Sequence, residues 1–312
     1  MYHIIANPKA GKGQTDKFLP HLTSLFEKYG LPFSVHITTG VMDGYYLARK
    51  FCQEDNDCQG IIGMGGDGTF QEIASGMIDA LTSPEGKIAI PLGIFPAGSG
   101  NDLALSIEGG KSRARYIRNQ FLEDVNLNFF NRIRRNHTRR IDIIKASDKA
   151  CLNIAHIGLD AKIAENAIEL KKKFGRHAYL AAVYKSIIKH RNTKLEIKID
   201  GEILIDDFTL VAICNGQYYG GGMRISPGAK IDDGKITLCL VRALSRPQAM
   251  MIFPTLMMEQ HKRLKAVSFV ECEEVSVKML DKKEALCLDG NIYPNMSEIN
   301  FKILPKVLNV FI

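Results

Sequence analysis

The chain has 312 residues, 46% hydrophobic and 24% charged, a balance that excludes fibrous and disordered classes. The length predicts two domains, each able to bury its own core. A net charge of +7 is a mild basic excess, which leaves anionic membrane, phosphate substrates and nucleic acid open as partners.

The first third alternates strand and helix. "YHIIA" reads as a buried strand and "NPKAGKG" (7–13) as its turn; Phe18, Leu22, Leu25, Phe26 and Tyr29 then share one helical face. "PFSVHI" alternates as a strand, and 43–55 form a helix through Leu47, Ala48 and Phe51. "GIIGM" is a strand; Phe70, Ile73, Ala74, Met77 and Ile78 follow at helical spacing, and "KIAIPLGIF" is the next strand. This βαβαβαβ order predicts a parallel sheet covered by helices on both faces.

The pattern changes after about residue 137. "RRIDIIKA" and "CLNIAHIG" read as paired strands, and a helical stretch runs from about Leu159 to His190. "KLEIKIDGEILIDD" is a hairpin turning at Asp200-Gly201. Strands are expected at 208–214, 236–241, 267–271, 274–280 and 284–288, with one helix at 246–259, which makes this half β-rich. "KVLNVFI" at the end could add a strand to either half.

The seven cysteines include no C-x-x-C pair and mostly lie in apolar runs, so they read as buried thiols in a reducing compartment. The opening "MYHIIANPKAGKG" has no leader character, and no apolar run reaches the ~20 residues of a spanning helix. The expected location is cytoplasmic, at most peripheral to a membrane.

Three glycine turns each follow a strand in the first half, and such turns gather at the carboxyl edge of an open parallel sheet, where ligands bind. "NPKAGKG" misses the P-loop pattern, with Ala6 and Gly13 at positions that need glycine and a hydroxyl. It can still offer N–H groups to phosphate, with charge from Lys9 and Lys12. In "GIIGMGGDGTFQEIASGM" (60–77), Gly63, Gly65 and Gly68 form G-x-G-x-x-G, but Gly63 lies inside the strand and the next strand ends without an acid. That argues against a dinucleotide fingerprint. What remains is Gly65-Gly66-Asp67-Gly68-Thr69 at a helix start. An acid in a phosphate-sized turn points to a bound cation or a catalytic base; a simple helix cap is the alternative. The third turn is "PAGSGND" (96–102), in which Asn101 or Asp102 could also be only a cap.

These motifs resemble the diacylglycerol kinase catalytic domain in its bacterial soluble form, close to the lipid and sphingosine kinases. The matching pieces are "NPKAG" (7–11), "GGDGT" with Glu72, "PAGSGND", "AKIDDGKITLCLV" (229–241) and "LDG" (288–290), in the family's order. The resemblance implies an N-terminal three-layer α/β nucleotide-binding domain with a parallel sheet over 1–137, joined by 304–312. It implies a C-terminal β-sandwich over 138–303 for the acceptor, with the site in the cleft between the two.

By motif match, ATP would be contacted by Asn7, Pro8, Lys9, Ala10, Gly11, Thr38, Gly66, Asp67, Gly68, Thr69, Phe70, Gln71, Glu72 and Ser99. Asp67 and Asp102 would organise Mg²⁺ and the transferred phosphoryl group. Asp233, with the carbonyls of Lys230 and Lys235, resembles a structural Mg²⁺ site, for which an Asp-Gly turn is the alternative. Gln71 stands where the family commonly has Asn. Asn291 stands where it usually has the Glu that is the candidate base, and Asn cannot accept a proton. Asp289 or Asp67 would then serve, or the enzyme would be slow.

The expected function is ATP- and Mg²⁺-dependent phosphorylation of a diacylglycerol-like lipid hydroxyl. A catalytically weakened nucleotide-binding regulatory module and a kinase for a soluble acceptor such as NAD are the rivals. Basic groups at Arg132, Arg134, Arg135, Arg139 and Arg140, and at Lys171, Lys172, Lys173, Arg176, Lys185, Lys189 and Arg191, read as solvated faces or a dock for anionic lipid. No nucleic-acid recognition motif accompanies them. Met250, Met251, Met257 and Met258 are expected in the core, and His156 and His190 as structural. The oligomeric state is left open, a homodimer included.

Overall fold

The computed structural model describes residues 1–81, 90–108, 123–159, 161–163, 185–189 and 191–312. Most of the helix expected over 159–190, with Lys171, Lys172, Lys173, Arg176 and His190, lies outside the described residues, as do 87–89 of the expected strand "KIAIPLGIF". The chain divides into two units. The first comprises Met1–Ile143, Gly220–Gly222 and Pro305–Ile312, and the second Ile144–Tyr219 and Met223–Leu304.

In the first unit the order is β1 (Tyr2–Ala6), α1 (Gln14–Lys28), β2 (Phe33–Ile37), α2 (Asp43–Glu54) and β3 (Gly60–Gly65). There follow α3 (Asp67–Leu81), β4 (Leu92–Pro96), α4 (Asp102–Ile107), α5 (Glu123–Arg134) and the start of β5 (Thr138–Ala146). β1 pairs in parallel with β2 and β3, and β3 pairs in parallel with β4. Every residue of β1 and β3 is buried, as expected for strands covered on both faces.

On one face Ile4, Ile62 and Met64 pack with Leu22 and Phe26 of α1 and Phe130 of α5, and the Phe26 and Phe130 rings meet edge-on at 5.1 Å. On the other face α2 and α3 pack together. A Cβ on Gly76 would stand 2.2 Å from the Tyr45 carbonyl oxygen, so glycine there sets how closely the two helices approach. The long β17 (Glu298–Phe311) ends in this unit, where Val310 pairs in parallel with Leu92. Pro305 and the left-handed Lys306 (φ 53°) lie within β17 at the point where the chain passes between units, in line with the confinement of proline to irregular strand positions.

The second unit is a β-sandwich built from antiparallel strands. It contains β6 (Lys149–Cys151), β7 (Ile154–Gly158), β8 (Thr193–Ile199), β9 (Glu202–Cys214), β10 (Tyr218–Tyr219), β11 (Met223–Arg224) and β12 (Ile236–Arg242). α6 (Arg246–Met257), β13 (Val267–Cys272), β14 (Glu274–Met279), β15 (Glu284–Leu288), β16 (Asn291–Met296) and the first part of β17 complete it. The strand order is β16-β15-β7-β9-β8-β14-β17, with β12 on β9 and β13 on β12. The β8–β9 hairpin turns at Asp200 (φ 44°) and Gly201 (φ 100°), the paired left-handed residues that favour an Asp-Gly turn. Val211, Ile213, Leu238, Val275, Val277 and Phe301 lie in its main core.

The methionine expectation fails for the helix α6. Met251 is 72% exposed and Met258, just past the helix, 69% exposed. Ala249, Ile252 and Leu256 are buried instead, because the helical period admits only one stripe to the core. Six of the seven cysteines are buried and all are free thiols.

Candidate functional site

The three glycine turns of the first unit touch one another. The Asn7 N–H donates to the Met64 carbonyl (2.9 Å), and the Ala97 N–H to that of Gly65 (2.7 Å). Asn7 Nδ2 donates to Thr69 Oγ1 (3.1 Å), while Asn7 Oδ1 accepts the Lys9 N–H (3.0 Å). Gly11 has φ +55°, and a Cβ there would lie 2.0 Å from the Ala97 carbonyl oxygen. A Cβ on Gly98 would lie 2.4 Å from the Gly66 Cα. These contacts are backbone against backbone, so no side chain could yield; the turns meet because glycine stands at each crossing.

Two carboxylates enter this junction. Asp67 opens α3, but its Oδ1 accepts the N–H of Leu103 (3.0 Å) in α4, so the second turn caps the helix begun by the third. The third turn closes on itself: the Gly98 N–H donates to Asn101 Oδ1 and Asn101 Nδ2 to the Gly98 carbonyl, both at 2.9 Å. Asp102 Oδ2 accepts the Gly221 N–H (2.9 Å) and Oδ1 the Gly222 N–H (2.6 Å). A Cβ on Gly100 would stand 2.9 Å from Asp67 Oδ2 and 3.2 Å from Asp102 Oδ2. The two carboxylates therefore converge over Gly100. Burial pushes the Asp67 carboxyl above its ordinary range, against the lowering effect of the N–H groups of Leu103, Asp102 and Asn101. Such an environment favours a proton or a cation at that oxygen.

Gly221 and Gly222 are absent from the sequence reading. Their signal is the run "YYGGGM", three glycines with positive φ that leave backbone N–H groups open to a carboxylate.

The remaining expected nucleotide residues fall differently. Thr38 is buried and its hydroxyl lies 3.5 Å from the Ala6 carbonyl. Beside it, Asp43 accepts the N–H groups of Thr39 and Gly40 and the Thr39 hydroxyl, and these hold its carboxyl below the usual range. Ser99 is exposed on the turn. Glu72 faces α2, where a Cβ on Gly44 would meet its Oε2 at 3.1 Å. The Phe70 side chain is fully buried in the core, on the inward stripe of α3, which leaves its backbone to the turn.

In the second unit Asp289 (φ 47°) is buried. Its Oδ2 accepts the Leu152 N–H (2.6 Å), and its Oδ1 those of Asn153 and Ile154 (both 3.0 Å). Asn291 begins β16, opposite Leu288. Asp233 is exposed, and its Oδ1 accepts the Lys235 N–H (3.1 Å) across Gly234 (φ 74°). That is a closed Asp-Gly turn, with the Lys235 ammonium on Glu271 (2.9 Å) and Lys230 exposed. Among the described residues no three His, Cys, Asp or Glu side chains are grouped to hold a metal. Buried His156 is pushed down to about 4 by desolvation, so it is neutral at physiological pH.

The comparisons with known proteins agree with this architecture. Residues 1–146 match the diacylglycerol kinase catalytic domain, and residues 153–312 the YegS C-terminal NAD kinase beta sandwich-like domain. The chain is 26% identical over 309 residues to a diacylglycerol kinase of Staphylococcus aureus (strain bovine RF122 / ET3-1), covering 99% of this chain and 91% of that protein. It is 24% identical to one from Staphylococcus carnosus (strain TM300), covering 99% and 94%. A crystal structure of a diacylglycerol kinase from Bacillus anthracis str. Sterne superposes with a TM-score of 0.73 at 22% identity, covering 99% of this chain and 96% of that one, and so shares the fold. The chain is a kinase, a phosphotransferase with an alcohol group as acceptor. It belongs to the diacylglycerol kinase-like lipid kinase family.

Proposed function

We propose that this protein transfers the γ-phosphoryl group of ATP to the hydroxyl of a diacylglycerol-like lipid, with Mg²⁺. The observation that carries the reading is the convergence of Asp67 and Asp102 over Gly100, inside the junction of three glycine turns. Its relatives' names, diacylglycerol kinase in each case, supply the acceptor class.

Mg²⁺ is commonly held by one or two carboxylates together with substrate phosphates, and the pair Asp67 and Asp102 fits that demand. When bound, the ion neutralises charge on the transferred group. The chain does the rest. Glycine N–H groups of the turns would face the phosphate oxygens, with Lys9 adding positive charge. The cap that Asp67 places on Leu103 fixes the second turn against the third, so these donors need not reorganise on binding.

On the acceptor side, Asp289 commits both oxygens to the backbone of Leu152, Asn153 and Ile154. In this reading it positions the strand entry before β7. Asn291 then supplies no base, and transfer rests on positioning and charge neutralisation, which carry most of phosphoryl transfer. The test is incubation with labelled ATP, Mg²⁺ and a panel of lipids in vesicles beside soluble acceptors including NAD. Label in a lipid supports the reading; label only in a soluble acceptor, or in none, refutes it.

A further inference from the structure

The helix α6 (Arg246–Met257) combines two properties that seldom coincide. No charged residue lies between Arg246 and Glu259, a composition expected of a helix buried on every side. Yet only one side is covered. Ala249, Ile252 and Leu256 are buried, and Ile252 and Leu256 share a small core with Cys239 of β12 and Val267 of β13. The other side is open: Met251 is 72%, Met258 69% and Met250 39% exposed, and Pro247 and Pro254 are exposed with them.

These five side chains form one stripe. At about 3.6 residues per turn, positions 247, 250, 251, 254 and 258 fall in a single sector opposite 249, 252 and 256. Leu264 (37% exposed) and Phe269 (36% exposed) add apolar surface beyond the C-terminal end of the helix. A clustered apolar face of this kind marks a place where something binds, unlike apolar residues scattered singly.

The charge around the stripe selects the partner. From Arg242 to Val270 the chain carries five basic residues, Arg242, Arg246, Lys262, Arg263 and Lys265, against one acid, Glu259. All five are exposed. Arg224 lies 3.1 Å from Glu259, and Asp206 lies 3.5 Å from Arg242. Arg246 opens the helix, and Lys262, Arg263 and Lys265 follow its end, so cations bracket the methionine stripe at both ends.

We propose that this face docks the protein on an anionic bilayer. The methionine stripe enters the boundary between headgroups and acyl chains, and Arg246, Lys262, Arg263 and Lys265 meet the lipid phosphates. Methionine suits the role, because its unbranched, flexible chain adapts to irregular apolar surroundings. The core of a protein interface is instead enriched in aromatic anchors; among the described residues the exposed apolar side chains of α6 are methionine and proline. The choice of a bilayer rests in part on the lipid-kinase reading above, so its test uses vesicles without diacylglycerol or ATP.

The experiment is co-sedimentation of the full chain with vesicles of phosphatidylcholine and phosphatidylglycerol, beside vesicles of phosphatidylcholine alone. The wild type should partition onto the anionic vesicles, at least about tenfold more weakly onto the neutral ones, and less as salt is raised. Each basic residue near an anionic leaflet contributes about fivefold, so Lys262→Gln with Arg263→Gln should lower partition on the order of 25-fold. Met251→Gln with Met258→Gln should lower it about tenfold or more. Both pairs are exposed, so far-UV circular dichroism should not change. Ile203→Gln with Ile205→Gln is the control: these β9 residues are 62% and 53% exposed, and the variant should bind as the wild type does. No partition of the wild type onto anionic vesicles, or equal partition by the methionine variant, would overturn the proposal. So would a methionine variant that keeps vesicle binding but shifts from dimer to monomer in sedimentation, which would assign the face to a second copy of the chain.

Discussion

Oδ1 of Asp67 accepts the backbone N–H of Leu103 at 3.0 Å. One carboxylate thus spans the second and third glycine turns, holding α4 with one oxygen and presenting the other beside Asp102 over Gly100. In the proposed mechanism, structure and chemistry compete for the same group. Because burial raises its folded pKa, stability linked to Asp67 is present while it is protonated and is lost as pH rises through that raised value.

Asp67→Asn separates the two roles. Asparagine keeps an oxygen for Leu103 but removes the charge. Turnover should fall on the order of 10²-fold or more. The ligand-free melting temperature at neutral pH should be equal to or above that of the wild type, with the advantage vanishing as pH falls below the raised value. A lower melting temperature at neutral pH would contradict the account of the carboxylate as destabilising.

Gly98→Ala should disrupt the junction, because its Cβ would meet the Gly66 Cα at 2.4 Å. A loss of about 1–3 kcal/mol in denaturant titration, with weakened ATP binding, is expected from such overpacking. Gly228→Ala serves as the control, since nothing lies within 4 Å of its Cβ position. Equal behaviour of the two variants would rule out steric necessity at the turns.

Much of this junction is legible in the chain. Each turn follows a buried strand, and parallel strands deliver such turns to one edge; Asp67 stands out as an acid among glycines. The contacts that join the turns are not legible, since Gly98 against Gly66 and Gly11 against Ala97 are backbone approaches with no side-chain pattern. The Gly221–Asp102 bond escapes for a different reason: it links residues 119 positions apart. The exposed methionines of α6 show the limit of composition, because an apolar residue on a helix need not lie on its buried stripe.

Asp289→Ala should cost about 3 kcal/mol, because it strips the acceptor from three buried N–H groups. Asp289→Asn should cost less, retaining Oδ1 for Asn153 and Ile154. Urea denaturation of both variants checks this. A Asp289→Ala protein of wild-type stability with lost turnover would return Asp289 to the role of base.

Asn291→Glu should raise turnover on the order of 10²-fold if the acceptor hydroxyl lacks a base in the wild type. Steady-state rates with lipid vesicles decide it. A rate unchanged or lowered in a folded variant would show that Asn291 does not stand where a base is needed.

The most direct measurement follows label from γ-³²P-ATP into diacylglycerol vesicles with Mg²⁺, wild type beside Asp67→Asn. The account predicts labelled phosphorylated lipid from the wild type and at most a trace from the variant. No labelled lipid from the wild type, or equal labelling by the two proteins, would contradict it.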